Sequence, residues 1–281
     1  MSETITLAHS PDPDDAFMFY ALARGEIDTE GLDFQTEAAD VESLNRRGAA
    51  GDAFDVTAFS AAAMPAVAEH YKILDAGSSL GRGFGPIVVA REPRGRDSLE
   101  AARFAIPGTN TSAWLALRLA LGTTPKHECL PFEAILDAVE AGELDVGLVI
   151  HEGQLTYGDH RLNRILDLGR WWTDETGLPL PLGVNAIRRG FDPELETRIA
   201  RVVSRSIRYG LEQREDALAY AREFGRGISR DRADRFVGMY VNELTVSLGV
   251  EGRRAIEIFL AMGYRKGHLP DPSRVEFVAA E

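Results

Sequence analysis

Short apolar runs alternate with amphipathic stretches along most of the chain, and beyond about residue 190 only the helical spacing remains. Ile5–Ala8, Leu32–Ala38, Asp55–Phe59, Tyr71–Ala76 and Pro86–Arg91 have the length and β-branched or aromatic content of strands. Helical spacing between them predicts helices from Ala16 to about Arg24, over Val41–Ala50 and over Ser60–His70. The prolines of SPDPDD bar a helix before Asp14, and Asp14 or Asp15 is placed to cap the helix that follows. The alternation then resumes with a strand before Pro107, a helix from Ser112, and PFEAILDAVEAG with Phe132, Ile135, Leu136 and Val139 on one face. A strand over Gly142–His151, another near Arg164–Leu168 and a returning strand over Val184–Arg188 complete this part. Asp192-Pro193 is a capping residue before proline at the first helical position. It opens helices over Pro193–Leu211, Glu215–Glu223, Arg230–Leu244 and Val250–Met262.

Two pairs of segments are built alike. VESLNRRGAAG followed by GDAFDVTAFS matches PFEAILDAVEAG followed by GELDVGLVIHE. Gly51-Asp52, Asp55-Val56 and Ser60 then parallel Gly142-Glu143, Asp145-Val146 and His151, with a one-residue gap. ITLAHSPDPDDAFMFYALARG and ARFAIPGTNTSAWLALRLALG each run from apolar strand through a polar, proline-containing loop to an amphipathic helix. Helix-then-strand order points to parallel pairing. The fold class is therefore α/β, with two similar lobes facing a shared cleft. The turn-rich Glu92-Pro93-Arg94-Gly95-Arg96 marks one crossing, and WWTDETGLPLPLG leads back. This gives residues 1–91 plus 182–281 as one lobe and 92–181 as the other, joined by a two-strand hinge.

Composition narrows the partners. A net charge of −13 and 44% hydrophobic residues describe an ordinary acidic globular chain, and argue against nucleic acid or an anionic membrane surface. A local pocket for a small anion remains open. Cys129 is the only cysteine, so no intrachain disulfide or cysteine metal cluster can form; it reads as packing in an apolar segment. MSETITLAHS lacks the features of a secretory signal, and no run approaches the roughly 20 apolar residues of a membrane span. The expected location is the cytoplasm.

Ligands of open α/β sheets bind outside the carboxyl ends of the strands. His151 stands at such an end, where an imidazole that titrates near neutral pH would face the cleft as a neutral base. Glu152 beside it is either a second charge on the ring or a solvated loop residue. PGTNTSAW puts Thr111 and Ser112 at a helix start, where free N–H groups, the helix dipole and hydroxyls would hold a ligand carboxylate. Asp12, Asp14 and Asp15 fit capping and loop solvation better than a metal site, and Asp14 and Asp15 can also line the cleft. His9 is either a ligand donor or a core residue. GRGFGP lacks the order and the lysine of a nucleotide loop, so its glycines read as a tight turn toward the hinge. No GxSxG nucleophile elbow is present.

Taken together, SP-x-P-x-D-x-F followed by FYAL, DVESLNR, LGRGFGP, LVIHE and DLGRWWTDETGLPLPLG, with YVNELT near the end, are decisive. The chain resembles the 1,4-dihydroxy-6-naphthoate synthases of the futalosine route to menaquinone, over nearly its whole length. The resemblance implies a type 2 periplasmic-binding-protein-like fold. It also implies conversion of cyclic dehypoxanthine futalosine to the naphthoate with no metal or organic cofactor. The family's base falls on His151, and its substrate contacts on Phe59, Ser60, Thr111 and Ser112, with Ser10 and Asp14 completing the expected set. The chain departs from the family pattern at Asp12, where members carry Cys, at Asp14, where they carry Asn, and at Ala58, where they can carry lysine. The alternatives are chorismate dehydratase of the same route and a non-catalytic receptor for a small carboxylate. Oligomeric state has no signature in the sequence.

Overall fold

The computed structural model describes residues 3–52, 54–225 and 227–280. Its strands are β1 (Glu3–His9), β2 (Leu32–Ala38), β3 (Val56–Ser60), β4 (Tyr71–Leu74), β5 (Ser79–Gly81) and β6 (Ile87–Ala90). They continue as β7 (Phe104–Ile106), β8 (His127–Cys129), β9 (Val146–Val149), β10 (Asn163–Asp167), β11 (Leu180–Arg188) and β12 (Phe277–Val278). These form two sheets, one ordered β12-β4-β11-β3-β1-β2 with β5 on β11, the other β10-β6-β9-β7-β8. Both are mixed. β1 pairs in parallel with β2 and β3, whereas β11 returns antiparallel to β3 and β4. In the second sheet β7 is parallel to β8 and β9, and β6 alone runs antiparallel, between β9 and β10. The result is a two-lobed α/β fold.

The sheets divide the chain a little differently from the expectation. The strand expected to close the first lobe, Ile87–Ala90, belongs to the second sheet, because its apolar IVVA pairs with β9. The chain first crosses through residues 82–86 and returns through the helix Leu168–Thr176 into β11. The charged break at 92–96 therefore lies inside the second half, between β6 and β7.

One apolar cluster runs from the first sheet (Phe59, Tyr71) to the second (Phe104) and to helices packed on it (Trp114, Trp172), so the halves share a core. A second covers the outer face of the first sheet with Phe17, Ile199, Val203 and Val237 from the surrounding helices. A third packs Ile135 and Val139 on the outer side of the second sheet. β3 and β9 are buried at every position, as strands covered on both faces must be. Trp172 is fully buried edge-on to Phe259 and its indole N–H donates to the Pro179 carbonyl, which makes it packing. Cys129 is the reverse of the expectation: it lies exposed on β8, the outermost strand of the second sheet. No helix of the described residues is long and apolar enough to cross a membrane.

Helix boundaries explain two differences. The first helix begins at Pro13, with Asp12 at the cap position, because proline is tolerated where a helix N–H has no partner anyway. The helix expected over Arg230–Leu244 stops at Tyr240. Asn242 then starts a new turn, Glu243–Val246: its side chain accepts from Leu244 N, and the Thr245 hydroxyl accepts from Asn242 N.

Candidate active site

Four carboxyl ends of strands converge on one cleft between the lobes, which spans about 720 Å³ when the space open to solvent is counted. The turn after β1 brings Ser10, Asp12, Asp14 and Asp15, and the end of β3 brings Phe59 and Ser60. The loop after β7 brings Thr111, Ser112 and Ala113, and the end of β9 brings Ile150, His151 and Gln154. β11 and the helix Arg230–Tyr240 close the walls with Asn185, Phe236 and Tyr240. All seven residues expected at the site from the sequence, His151, Phe59, Ser60, Thr111, Ser112, Ser10 and Asp14, line it.

His151 is held tightly. Its backbone sits in the left-handed region at φ 52, uncommon for a side-chain-bearing residue and frequent at functional sites. The Phe132 ring meets the imidazole edge-on at 4.6 Å. Nδ1 lies 3.0 Å from Asp12 Oδ2, and the Ser10 hydroxyl donates to the same oxygen. Burial on its own would lower the imidazole pKa. The charge of Asp12, its hydrogen bond, and the charges of Glu152 and Asp14 outweigh burial and raise it to about 9. The ring is therefore mainly imidazolium at neutral pH, which corrects the expectation of a neutral base. Glu152 is 7% exposed, so its charge acts from within the fold rather than from a solvated loop.

Of the aspartates after β1, Asp12 and Asp14 are buried and Asp15 is partly so, none of them a solvated loop residue. Asp12 is 1% and Asp14 8% exposed. Burial, then the Asp12 charge, pushes Asp14 up to about 6. Burial also raises Asp15 well above the usual carboxylate range, although its carboxylate accepts from Ser10 N at 2.8 Å. Neither Asp14 nor Asp15 is the cap residue, which is Asp12, and Asp12 makes no side-chain capping bond. His9 is a core histidine: its Nδ1 lies 2.8 Å from the Ser10 carbonyl, Phe19 packs on it, and burial lowers its pKa.

At the helix Ser112–Leu121 the hydroxyls have other work. Thr111 is an ordinary cap, accepting from Trp114 N and donating to the Gly108 carbonyl. Ser112 Oγ accepts from Ala62 N and donates to the Leu182 carbonyl, both on the opposite lobe. What remains for an anion is the first-turn backbone N–H groups of Ser112 and Ala113.

Several site residues escaped the sequence reading. Asn45, within DVESLNR, accepts from Ser60 N at 2.9 Å and donates to Ser60 Oγ at 3.1 Å. Tyr240, in YVNELT, donates to Gln154 Oε1 at 2.8 Å across the cleft. Asn185 donates to the Gly77 carbonyl, while its buried Oδ1 has no partner among the described residues. The motifs were visible, but only the fold shows which side chain meets which. Among the described residues, no Lys or Arg lines the cleft. Outside it, Asp137, Glu140 and His160 bring their ligand atoms within 4.8 Å of one another, where His160 Nδ1 pairs with both carboxylates.

Two α/β lobes with a ligand-sized cleft at their strand ends define a periplasmic-binding-protein-like fold. The alkanesulfonate-binding protein of Xanthomonas axonopodis pv. citri shares it at TM-score 0.73, over 100% of both chains and at 12% identity. A family model described as "Menaquinone biosynthesis" matches residues 5–265, and the chain belongs to that family. It is 38% identical over 98% of its length to all of a 1,4-dihydroxy-6-naphthoate synthase of Thermus thermophilus. It is 36% identical to one of Streptomyces coelicolor, covering 96% of each. A crystal structure of an Archaeoglobus fulgidus protein aligns at TM-score 0.89 with 42% identity, over 94% of this chain and 98% of that one.

Proposed function

We propose that the chain is a cytoplasmic 1,4-dihydroxy-6-naphthoate synthase. It acts as a cofactor-free lyase on cyclic dehypoxanthine futalosine and is closed around its substrate by its two lobes. Family membership and the synthase relatives support the activity. The observation that carries the chemistry is His151, partly buried at a strand end, strained in its backbone and facing the cleft with one ring nitrogen engaged. The deprotonated ring takes a proton from the substrate, and the negative charge spreads into the attached ring system as the carbon–carbon bond breaks. The substrate carboxylate sits at the N–H groups that open the helix Ser112–Leu121, favoured by the helix dipole. Its hydroxyl-rich end meets Ser10, Asp14 and Ser60, with Phe59 beneath.

Incubation with cyclic dehypoxanthine futalosine should yield the naphthoate by mass. His151→Asn should lower turnover about 10²–10⁴-fold while ligand binding changes little, the usual contribution of a positioned base. Near-normal turnover in that variant would remove His151 from the role. Wild-type protein that binds and never converts would mark a receptor instead.

A further inference from the structure

The carboxylate that meets His151 comes from the other lobe. Asp12 follows β1 of the first sheet, whereas His151 follows β9 of the second. Asp12 occupies a helix cap position without using its side chain there, and it is buried at 1% exposure. A buried carboxylate carries a large desolvation cost unless it is paired. Its Oδ2 is met from its own turn by the Ser10 hydroxyl and from across the cleft by His151 Nδ1 at 3.0 Å. We propose that Asp12 is a positioning residue for His151. Reaching across the cleft, it keeps the proton on Nδ1, leaves Nε2 for the ligand, and completes the base only when the lobes are shut. The second nitrogen's state follows from the first, because the bond made by one ring nitrogen sets the tautomer of the other.

The role of Asp12 rests on His151 being the base, but the pairing itself does not. Among the described residues, the charged groups that face the imidazole are Asp12, Asp14 and Asp15 from the turn after β1 and the start of the first helix, and Glu152 beside it in the chain. The Phe132 ring packs edge-on against it. Removal of Asp12 leaves burial opposed by weaker charges, so the imidazolium should be lost at lower pH.

The test is an NMR titration of the ring nitrogens in histidine-labelled protein, with the His151 signals assigned by their loss in His151→Asn. In the wild type both nitrogens should carry protons at about pH 7.5, with a midpoint near 9. Asp12→Asn keeps the shape and a residue type suited to a helix cap, and should move that midpoint down by roughly 1–3 pH units. Asp12→Glu should restore part of the difference. The acid limb of kcat/KM should move down with the midpoint in Asp12→Asn while the plateau of kcat falls, a combination that general loosening of the fold would not produce. A wild-type midpoint at or below the ordinary 6.5 would overturn the proposal, as would an Asp12→Asn midpoint within a few tenths of the wild type. Should Asp12→Asn not fold, the wild-type titration and Asp12→Glu still decide. Should the wild type convert no substrate, the proposed function fails while the titration still reports on the pair.

Discussion

Ser112 shows how a residue chosen for one task can be committed to another. Its hydroxyl joins Ala62 N of one lobe to the Leu182 carbonyl, from a helix that belongs to the other sheet. Ser112→Ala would leave both partners without their bond in a buried setting, costing about 1–3 kcal/mol in urea unfolding. Product affinity should change little if, as proposed, the anion is held by backbone N–H groups. A large loss of affinity with unchanged stability would return the hydroxyl to the ligand. The sequence marks Thr111 and Ser112 as polar residues at a helix start; it does not say whether the hydroxyls face the ligand or the protein. That depends on what the fold brings alongside.

At the scale of elements, the glycine-rich LGRGFGP and the helix of DLGRWWTDETG explain each other. A Cβ on Gly169 would lie 1.8 Å from the Phe84 carbonyl oxygen, and one on Gly81 would lie 2.0 Å from the same atom. These glycines serve close backbone approach between the outgoing crossing and the returning helix; among the glycines of this loop, only Gly83, at φ 75, needs the left-handed region. Gly169→Ala must push two backbones apart. It should cost at least the 1–3 kcal/mol typical of overpacking, read from the denaturation midpoint. Ala at Gly95, which meets nothing within 4 Å, should be close to neutral. Element types were legible because strands and helices leave distinct apolar periods, and β2 matches its expected span, Leu32–Ala38. The membership of Ile87–Ala90 was not, since a buried strand of four apolar residues fits either sheet equally well.

For the whole molecule, the cleft contacts tie stability to pH. His151 is raised to about 9, so its contribution is complete below the ordinary 6.5 and is lost as pH rises through 9. Asp14, raised to about 6, favours its neutral form; that contribution is complete below 3.8 and is lost as pH rises through 6. The melting temperature should therefore fall by several degrees between about pH 7 and 9.5, and His151→Asn should flatten this limb. A wild-type limb as flat as the variant's would place the His151 charge outside the folding balance. Asp12–His151, Gln154–Tyr240 and Asn110–Glu42 all join the lobes, so the same pH rise should loosen their closure. By itself the sequence determined the α/β class, the strand ends that carry Ser60 and His151, and the family, because periodicity and motifs are local properties of the chain. The tertiary structure decided that Asp12 meets His151, that the imidazole holds its proton, and that Thr111 and Ser112 bind the protein itself. Those depend on which charges share one cleft, and that is settled only when two distant turns are packed face to face.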